Sequence, residues 1–254
     1  MRPTVRSHKP AMTKRQRVDR LLVERGLFES RAKAQAAIAA GLVSADGLLV
    51  GKASDEIPAN AKLQASAEHP WVSRGGIKLA AALDHFGFDP KGRVCLDVGA
   101  STGGFTHVLV ERGARRVYAV DVGHDQLHHS LRKRTDIVCI EETDIRALTA
   151  ALLREPPVFI VIDVSFISLK LVLPAALALA TRPAQLLALI KPQFEMGRGH
   201  RKKGIVRDPQ IHTQVCEDMS AFVTALGCKV LGVIPSPVAG GDGNREFFIG
   251  AEHD

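Results

Sequence analysis

Residues 93–105 read RVCLDVGASTGGF, and this stretch decides the fold. A short apolar run ends at Asp97 and is followed by glycines at 99, 103 and 104. Small residues after a strand let the backbone approach a ligand at the carboxyl edge of a parallel sheet. The spacing is neither G-x-G-x-x-G nor a P-loop, which disfavours dinucleotide and nucleoside-triphosphate sites. A strand-to-helix turn that needs glycine only for its own conformation is the open alternative.

The same kind of apolar run recurs along the chain after residue 93. Helical stretches separate the first six runs, a pattern typical of a parallel α/β sheet. Residues 235–244 between the last two runs are too short and turn-rich for a crossover helix, so the last strand should be antiparallel. We therefore predict an α/β fold with a seven-stranded, Rossmann-like sheet. The predicted strands are 93–98, 116–121, 137–141, 158–164, 185–191, 229–234 and 246–251.

The first part of the chain follows a different pattern. Ser30 is a good helix N-cap, and Asp46-Gly47 is a typical hairpin turn. We predict a small α+β domain over 15–72 and the main domain over 73–254, preceded by a mobile basic tail, 1–14, in which Met12 is an alternative start. The elements predicted in the small domain are helices at 18–25 and 31–40, a hairpin at 42–50 and a strand within 61–70.

Charge is distributed unevenly along the 254 residues, whose formal net charge is +7. Residues 1–80 hold 14 Lys and Arg against 7 Asp and Glu, whereas 81–254 hold 20 of each. This asymmetry indicates an anionic partner, nucleic acid or a membrane surface, for the N-terminal part, with a solvated basic tail as the alternative. The four cysteines form no CxxC pair, and the longest apolar stretch, 169–180, is about half a membrane span. We expect a soluble, cytoplasmic protein without a metal site.

Two acidic residues follow the next predicted strands. Asp121 ends the second strand, at the distance where a carboxylate can accept hydrogen bonds from ribose hydroxyls. Asp144 follows the third strand, where it can accept from an adenine amino group with Ile145 against the ring. Each residue alone is more often a cap or a turn residue than a ligand contact. With the loop at 97–104, they place three ligand-facing loops on one sheet edge.

Four further residues converge on that edge. Asp163 and Lys191 end the fourth and fifth strands, Glu246 begins the antiparallel seventh, and Lys78 lies in the helix before the first. The topology can gather all four around one point. Each residue taken singly also has a simpler interpretation. Lys78 and Lys191 could be solvated lysines, Asp163 a helix cap and Glu246 a surface carboxylate.

Taken together, these motifs resemble a known family. The loop at 97–104 resembles the cofactor loop of class I S-adenosyl-L-methionine (SAM) methyltransferases, and the order Lys, Asp, Lys, Glu resembles the tetrad of FtsJ-like ribose 2′-O-methyltransferases. Within that family the sequence resembles the TlyA branch, whose members carry the historical label hemolysin. The resemblance covers residue 15 to about 250. The strings that carry it are SRGGIKL, DVGASTGGF, DVSFIS, KPQFE, KGIVRD and NREFF.

The resemblance implies a SAM-dependent methyltransferase that acts on a ribose 2′-hydroxyl of cytidine in ribosomal RNA. In this interpretation Lys191 is the base and stabilises the oxyanion, Asp163 orients it, and Lys78 and Glu246 position the ribose. Asp144 departs from the family pattern, which has Asn there. The residues implied in cofactor binding are Asp97, Gly99, Ser101, Gly103, Gly104, Asp121, Asp144 and Ile145.

The segment from Arg17 to the Asp46-Gly47 turn resembles the S-four-like RNA-binding domain. Phe166 and Phe194 are candidates for gripping a flipped base, with core packing as the alternative. A non-catalytic ribosome-binding factor and a membrane-active hemolysin remain alternatives; a pseudouridine synthase is disfavoured because its Gly-Arg-Leu-Asp motif is missing. The predicted RNA contacts are Arg15, Arg17, Arg20, Arg31, Lys33 and Lys52, and in a second basic segment Arg198, Arg201, Lys202 and Lys203.

Overall fold

The stretch around Asp97 forms an interior strand of a seven-stranded sheet in a computed structural model, which describes residues 14–67, 69–196, 205–240 and 243–254. The chain divides into two compact units, residues 1–70 and 71–254. The large sheet belongs to the second unit. The predicted basic tail lies outside the described residues, apart from its last residue.

All seven predicted strands of the second unit are present, in the spatial order β11-β12-β10-β9-β6-β7-β8. β12 pairs antiparallel with both β10 and β11, while the pairs among β6 to β10 are parallel. The predicted fold class and the antiparallel last strand are therefore confirmed. The strands are β6 Val94–Val98, β7 Arg116–Val120, β8 Ile137–Ile140, β9 Phe159–Ile162, β10 Ala184–Ile190, β11 Lys229–Pro235 and β12 Phe247–His253.

Alternation along each strand builds two apolar layers, one on each face of the sheet. In β9, Phe159 and Val161 pack with one layer, and Ile160 and Ile162 pack with the other. The first layer is closed by α3 and α4, and the second by α6 and α8. Both faces are covered, as expected for a mainly parallel sheet. The helices are α3 Gly75–Phe86, α4 Gly104–Glu111, α5 His129–Arg132, α6 Leu169–Ala178, α7 Pro192–Glu195 and α8 Pro209–Ala225.

The connection between β8 and β9 differs from the prediction of a helical stretch. It contains two short 3₁₀ turns, Ile145–Ala147 and Ala150–Leu152. Buried Leu148 and Leu153 anchor each turn separately in the core, and the backbone is extended at Leu148 and Thr149 between them. These local anchors interrupt a continuous helix.

The first unit contains the two predicted helices and the predicted hairpin. The Ser30 side chain accepts from Lys33 N, and both turn residues, Asp46 and Gly47, have positive φ, which confirms the cap and the turn. A two-stranded pairing of β1 with β4 was not predicted, because three-residue strands carry no periodic signal. The elements are β1 Arg15–Arg17, α1 Val18–Glu24, α2 Arg31–Ala39, β2 Val43–Ala45, β3 Leu48–Leu49, β4 Glu56–Pro58 and β5 Leu63–Ala65.

Two further observations concern the expected class of protein. Across the described ranges, no helix combines the length and hydrophobicity needed to cross a bilayer. All four cysteines are free thiols.

Candidate active site

A cavity of about 290 Å³ opens at the carboxyl edge of the sheet, and we call it the lysine cavity. Lys78 reaches it from α3, and Asp163 and Lys191 reach it from the ends of β9 and β10. Three of the four predicted catalytic residues therefore line one cavity. Its lining is Ser73, Arg74, Gly75, Lys78, Gly99, Ala100, Ser101, Thr102, Gly104, Phe105, Asp163, Ser165 and Lys191.

Lys191 is held by two oxygen atoms from the loop after β9. Its Nζ lies 2.7 Å from Asp163 Oδ1 and donates to Ser165 Oγ at 2.8 Å. The residue is only 8% exposed. A lysine ammonium has three N–H groups, so these two contacts leave one direction for a substrate oxygen. Ser165 was not predicted as a site residue, although it lies in the DVSFIS string.

Lys78 is paired with the fourth predicted catalytic residue. Its Nζ donates to Glu246 Oε2 at 2.5 Å, and both side chains are buried. The pair joins α3 to the start of β12, residues 168 positions apart. A Cβ atom at Gly240 would lie 2.3 Å from Glu246 Oε1, so a side chain at position 240 would displace the carboxylate. The four predicted catalytic residues thus form two lysine–carboxylate ion pairs.

A second cavity of about 360 Å³ adjoins the first, and we call it the aspartate cavity. It shares Gly99, Ser101, Asp163 and Ser165 with the lysine cavity. The remaining lining is mostly apolar, with two carboxylates. Those further residues are Val98, Val120, Asp121, Val122, Thr143, Asp144, Ile145, Val164, Phe166, Ile167 and Val172.

Asp121 connects the aspartate cavity to the glycine-rich loop. Its Oδ2 accepts from Ser101 N at 2.8 Å, and its Oδ1 accepts from Gly123 N at 2.7 Å. A carboxylate has about four acceptor positions, so two remain for a ligand's hydroxyl groups. The arrangement fits the adenosine part of SAM, since apolar walls surround carboxylates with spare acceptor capacity.

Asp144 serves as a cap and lines the cavity as well. It accepts from Arg146 N at 2.9 Å and from the Arg146 guanidinium at 2.6 Å. The guanidinium lowers the pKa of Asp144 to about 2, so the carboxylate is ionised at neutral pH. Ile145 is buried in the core and also lines the cavity. The cap interpretation of Asp144 is thus compatible with a ligand role.

Two residues predicted in cofactor binding have a different local role. Asp97 is fully buried, lines neither cavity, and accepts from Thr106 Oγ1 at 2.6 Å, so it attaches the end of β6 to α4. Burial raises the pKa of Asp97 to about 7. Gly103 also lines neither cavity; its φ is +93°, and an added Cβ would lie 2.5 Å from Leu131. Both residues therefore support the glycine-rich loop through contacts with neighbouring helices.

Gly99 and Gly104 lie on the cavity side of the loop. Gly99 has φ +81°, and an added Cβ would lie 2.4 Å from the Asp163 carbonyl oxygen. At Gly104 an added Cβ would lie 2.2 Å from Ser73 Oγ. Glycine is therefore required where the loop meets β9 and α3.

A carboxylate that was not predicted fixes the loop after Asp121. Glu141 accepts from the N–H groups of residues 125, 126 and 127, and from Arg132. Burial alone would raise the pKa of Glu141, but Arg132 and these N–H groups lower it to about 2. Sequence offered little signal, because Glu141 only follows β8 as a further polar residue.

Two aromatic residues lie beside the cavities. Phe166 is 85% exposed, has φ +66°, and its ring centroid lies 5.2 Å from that of Phe194. An exposed phenylalanine with positive φ is a rare conformation that points to function. Phe166 therefore contradicts the core-packing alternative. Glu195 fixes the neighbouring backbone, since it accepts from Ser168 Oγ at 2.5 Å and Leu169 N at 2.8 Å.

The predicted basic contacts of the first unit fall into three groups. Arg17 and Arg31 both bind the fully buried Asp19, whose pKa Arg17 holds far below its usual value. Arg20 and Lys52 are exposed and have no side-chain partner within the described part of the chain. Two others have surface partners: Arg15 donates to Glu56 O, and Lys33 pairs with Glu29. Arg198, Arg201, Lys202 and Lys203 lie outside the described residues.

Comparisons with known proteins agree with this geometry. The profile of the family described as FtsJ-like methyltransferase matches residues 71–253. The chain is 44% identical over 241 residues to the 16S/23S rRNA (cytidine-2′-O)-methyltransferase TlyA of Mycobacterium tuberculosis, covering 94% of this chain and 90% of that protein. A solved Streptococcus thermophilus structure, described as a candidate hemolysin, is 41% identical with a TM-score of 0.73, covering 95% and 89% of the two chains.

Proposed function

Since the chain belongs to the TlyA branch of the FtsJ-like methyltransferases, we propose that it methylates a cytidine ribose 2′-hydroxyl of ribosomal RNA. The observation that carries the proposal is the pair of lysine–carboxylate contacts around the lysine cavity, beside a cavity suited to adenosine. An RNA substrate in ribosomes implies action in the cytoplasm.

Residues of both cavities would hold SAM, which supplies an electrophilic methyl group when bound. Asp121 would accept the ribose hydroxyls, Asp144 the adenine amino group, and Ile145 would pack on the ring. Gly99, Gly104 and Ser101 would admit the rest of the molecule along the loop. Asp97 and Gly103 would support that loop from behind.

A ribose 2′-hydroxyl must lose its proton as it attacks the methyl group. We assign that proton to Lys191, whose Nζ has one direction left beyond Asp163 and Ser165. In the neutral amine this direction is the lone pair that takes the proton; in the ammonium it is an N–H that stabilises the oxyanion. Asp163 would orient the lysine, and Lys78 with Glu246 would position the ribose. Much of the rate would come from this positioning.

The first unit would act as an S-four-like module that binds phosphates. The exposed side chains of Arg20 and Lys52 support this role most directly, because no described residue pairs with them. Arg17 and Arg31 are shared with Asp19 and would contribute fewer donors to RNA. Phe166 would stack on a nucleobase displaced from the substrate.

Methyl transfer from labelled SAM to isolated ribosomal subunits tests the proposal. The expected product is a 2′-O-methylcytidine, located by mapping ribose methylation in ribosomal RNA with and without the protein. Labelled base methyl groups, or no label with either subunit, would contradict it. Lysis of erythrocytes by the purified protein without SAM would instead support a membrane-active hemolysin.

An RNA-binding comparison tests the role of the first unit. Phosphate contacts release counterions, so each lost contact reduces the salt dependence of RNA affinity by a slope of about 0.7 to 0.9. We expect the Arg20→Ala, Lys52→Ala double variant, which loses two contacts, to show about twice this reduction. Lys170→Ala, a charge change on α6 of the second unit, is the control. Equal salt slopes in all three proteins would remove RNA binding from the first unit.

A further inference from the structure

The backbone at Val206 is held by two side chains, and one of them, Asn244, precedes Glu246 by two residues. Val206 N donates to Asn244 Oδ1 at 2.8 Å, and Val206 O lies 3.0 Å from His212 Nε2. A carbonyl oxygen can only accept, so His212 carries a proton on Nε2. We call these two contacts the Val206 clamp.

Both side chains of the clamp are buried: Asn244 is 2% exposed and His212 is 5% exposed. His212 lies in the first turn and a half of α8, which packs against the core. Its ring also contacts Phe247, the residue after Glu246, with ring centroids 5.5 Å apart. The clamp therefore connects a fixed helix to the beginning of β12.

Asn244 also organises the turn that carries Glu246. Gly240 N donates to Asn244 O, and Gly243 N donates to Gly240 O, both at 2.9 Å. Gly240 packs directly against the Glu246 carboxylate, because an added Cβ there would lie 2.3 Å from Oε1. A shift of Asn244 would displace Gly240 and release the carboxylate.

We propose that Asn244 and His212 are positioning residues that hold Glu246 against Lys78 through the Val206 clamp. The path runs from α8 through His212, Val206 and Asn244 to the turn and then to the Lys78–Glu246 ion pair. Its catalytic consequence rests on the proposed function. The positioning itself is a property of the fold and has a readout of its own.

Chemical labelling of lysines tests whether Glu246 is held against Lys78, and it does not require methyltransferase activity. Lys78 and Lys191 are equally buried, each 8% exposed, but only Lys78 depends on Glu246. We expect Asn244→Ala to raise the acylation rate of Lys78 by an amine-reactive ester severalfold, and to leave that of Lys191 unchanged. Mass spectrometry of the full-length chain measures both rates in one sample.

Steady-state kinetics measure the consequence for catalysis. We expect Asn244→Ala to lower kcat for RNA methylation by about 10- to 100-fold, as a displacement of about 1 Å can do, with the KM for SAM unchanged. His212→Phe keeps a ring beside Phe247 but loses the donor, and should be impaired likewise. His212→Gln keeps an N–H donor at a similar reach and should restore kcat.

A double-variant cycle separates positioning from general loss of stability. In the Glu246→Ala background, Asn244→Ala should have no further effect on kcat, because it acts through the missing carboxylate. Tyr118→Phe is the stability control: it removes the hydrogen bond from Glu155 N, lines neither cavity, and should leave Lys78 labelling unchanged.

The outcomes divide cleanly. Additive effects in the cycle, unchanged Lys78 labelling, or an equal rise at Lys78 and Lys191 would overturn the proposal. Failure of His212→Phe to change kcat and labelling would remove His212 from the clamp. If the unaltered protein methylates no RNA, the proposed function fails, whereas the ratio of Lys78 to Lys191 labelling still decides the clamp.

Discussion

The aspartate cavity and the lysine cavity share a wall but treat their carboxylates differently. Among the described residues, Asp121 accepts only from backbone N–H groups, and it keeps free acceptor positions. Asp163 and Glu246 instead pair with lysines. In this cavity the lysine Nζ atoms, and not the carboxylates, have hydrogen-bonding positions left for a substrate. An acceptor with spare lone pairs suits the binding of neutral hydroxyls, whereas paired lysines suit the handling of a proton. The difference predicts that binding and rate are separable by mutation.

The largest effect is expected at Lys191. Lys191→Ala should lower kcat by roughly 10²- to 10⁴-fold, the range for loss of a general base, while the Kd for SAM stays unchanged. Single-turnover methylation and equilibrium titration measure the two quantities. Lys170→Ala removes the same charge from α6 outside the cavity and serves as the control. Full methylation by Lys191→Ala would remove its role as base, and a large loss of SAM affinity would break the division between the cavities.

The opposite pattern is expected at Asp121. Asp121→Ala should weaken SAM binding by about 10- to 100-fold, since hydrogen bonds to a charged acceptor contribute about 1.5 to 3 kcal/mol each. At saturating SAM, kcat should recover. Asp125→Asn is a matched control on the same loop, because the exposed Asp125 side chain forms a surface ion pair with Arg132 and lines neither cavity. If kcat stays low at saturating SAM, Asp121 does more than bind.

The strands and their ends could be predicted from sequence, because apolar runs of strand length alternate with helical stretches. The antiparallel β12 followed from the short 235–244 connection. The pairing of Lys78 with Glu246 could be anticipated as convergence, but not as a contact, since 168 positions separate them. The Val206 clamp was invisible, because backbone groups are its central atoms.

Asp97 shows a limit of another kind. The motif placed it with the ligand-binding residues, yet its side chain lies on the face of β6 that packs under α4, as Cys95 does two positions earlier. Strand alternation contains this information, because residues 95 and 97 share a face. Motif position alone cannot distinguish a ligand contact from a support.

A moderate, pH-dependent effect on stability is expected at Asp97. Its pKa is raised to about 7 in the folded protein, so the folded state binds more protons than the unfolded state between pH 4 and 7. Its contribution to the free energy of unfolding is therefore present below pH 4 and is lost as the pH rises towards 7. Asp97→Asn should flatten this dependence by on the order of 1 kcal/mol.

Denaturant unfolding at pH 5 and pH 8 measures that change. Asn can still accept from Thr106, so the attachment of β6 to α4 is retained. Glu142→Gln, an exposed carboxylate on the same sheet edge, is the control. An equal pH dependence in Asp97→Asn and the unaltered protein would show that Asp97 is ionised in both states.

The smallest effect is expected at Asp144, where it distinguishes a cap from a ligand contact. Asn caps a turn as well as Asp does and keeps an acceptor oxygen, so Asp144→Asn removes only the exposed ion pair with Arg146. Such pairs contribute about 0 to 1 kcal/mol, so the Kd for SAM should change less than about fivefold. Asp144→Ala also removes the acceptor and should weaken binding further. If Asp144→Ala and Asp144→Asn bind SAM equally, residue 144 is a cap alone, and Asp121 is the carboxylate of the aspartate cavity that binds the ligand.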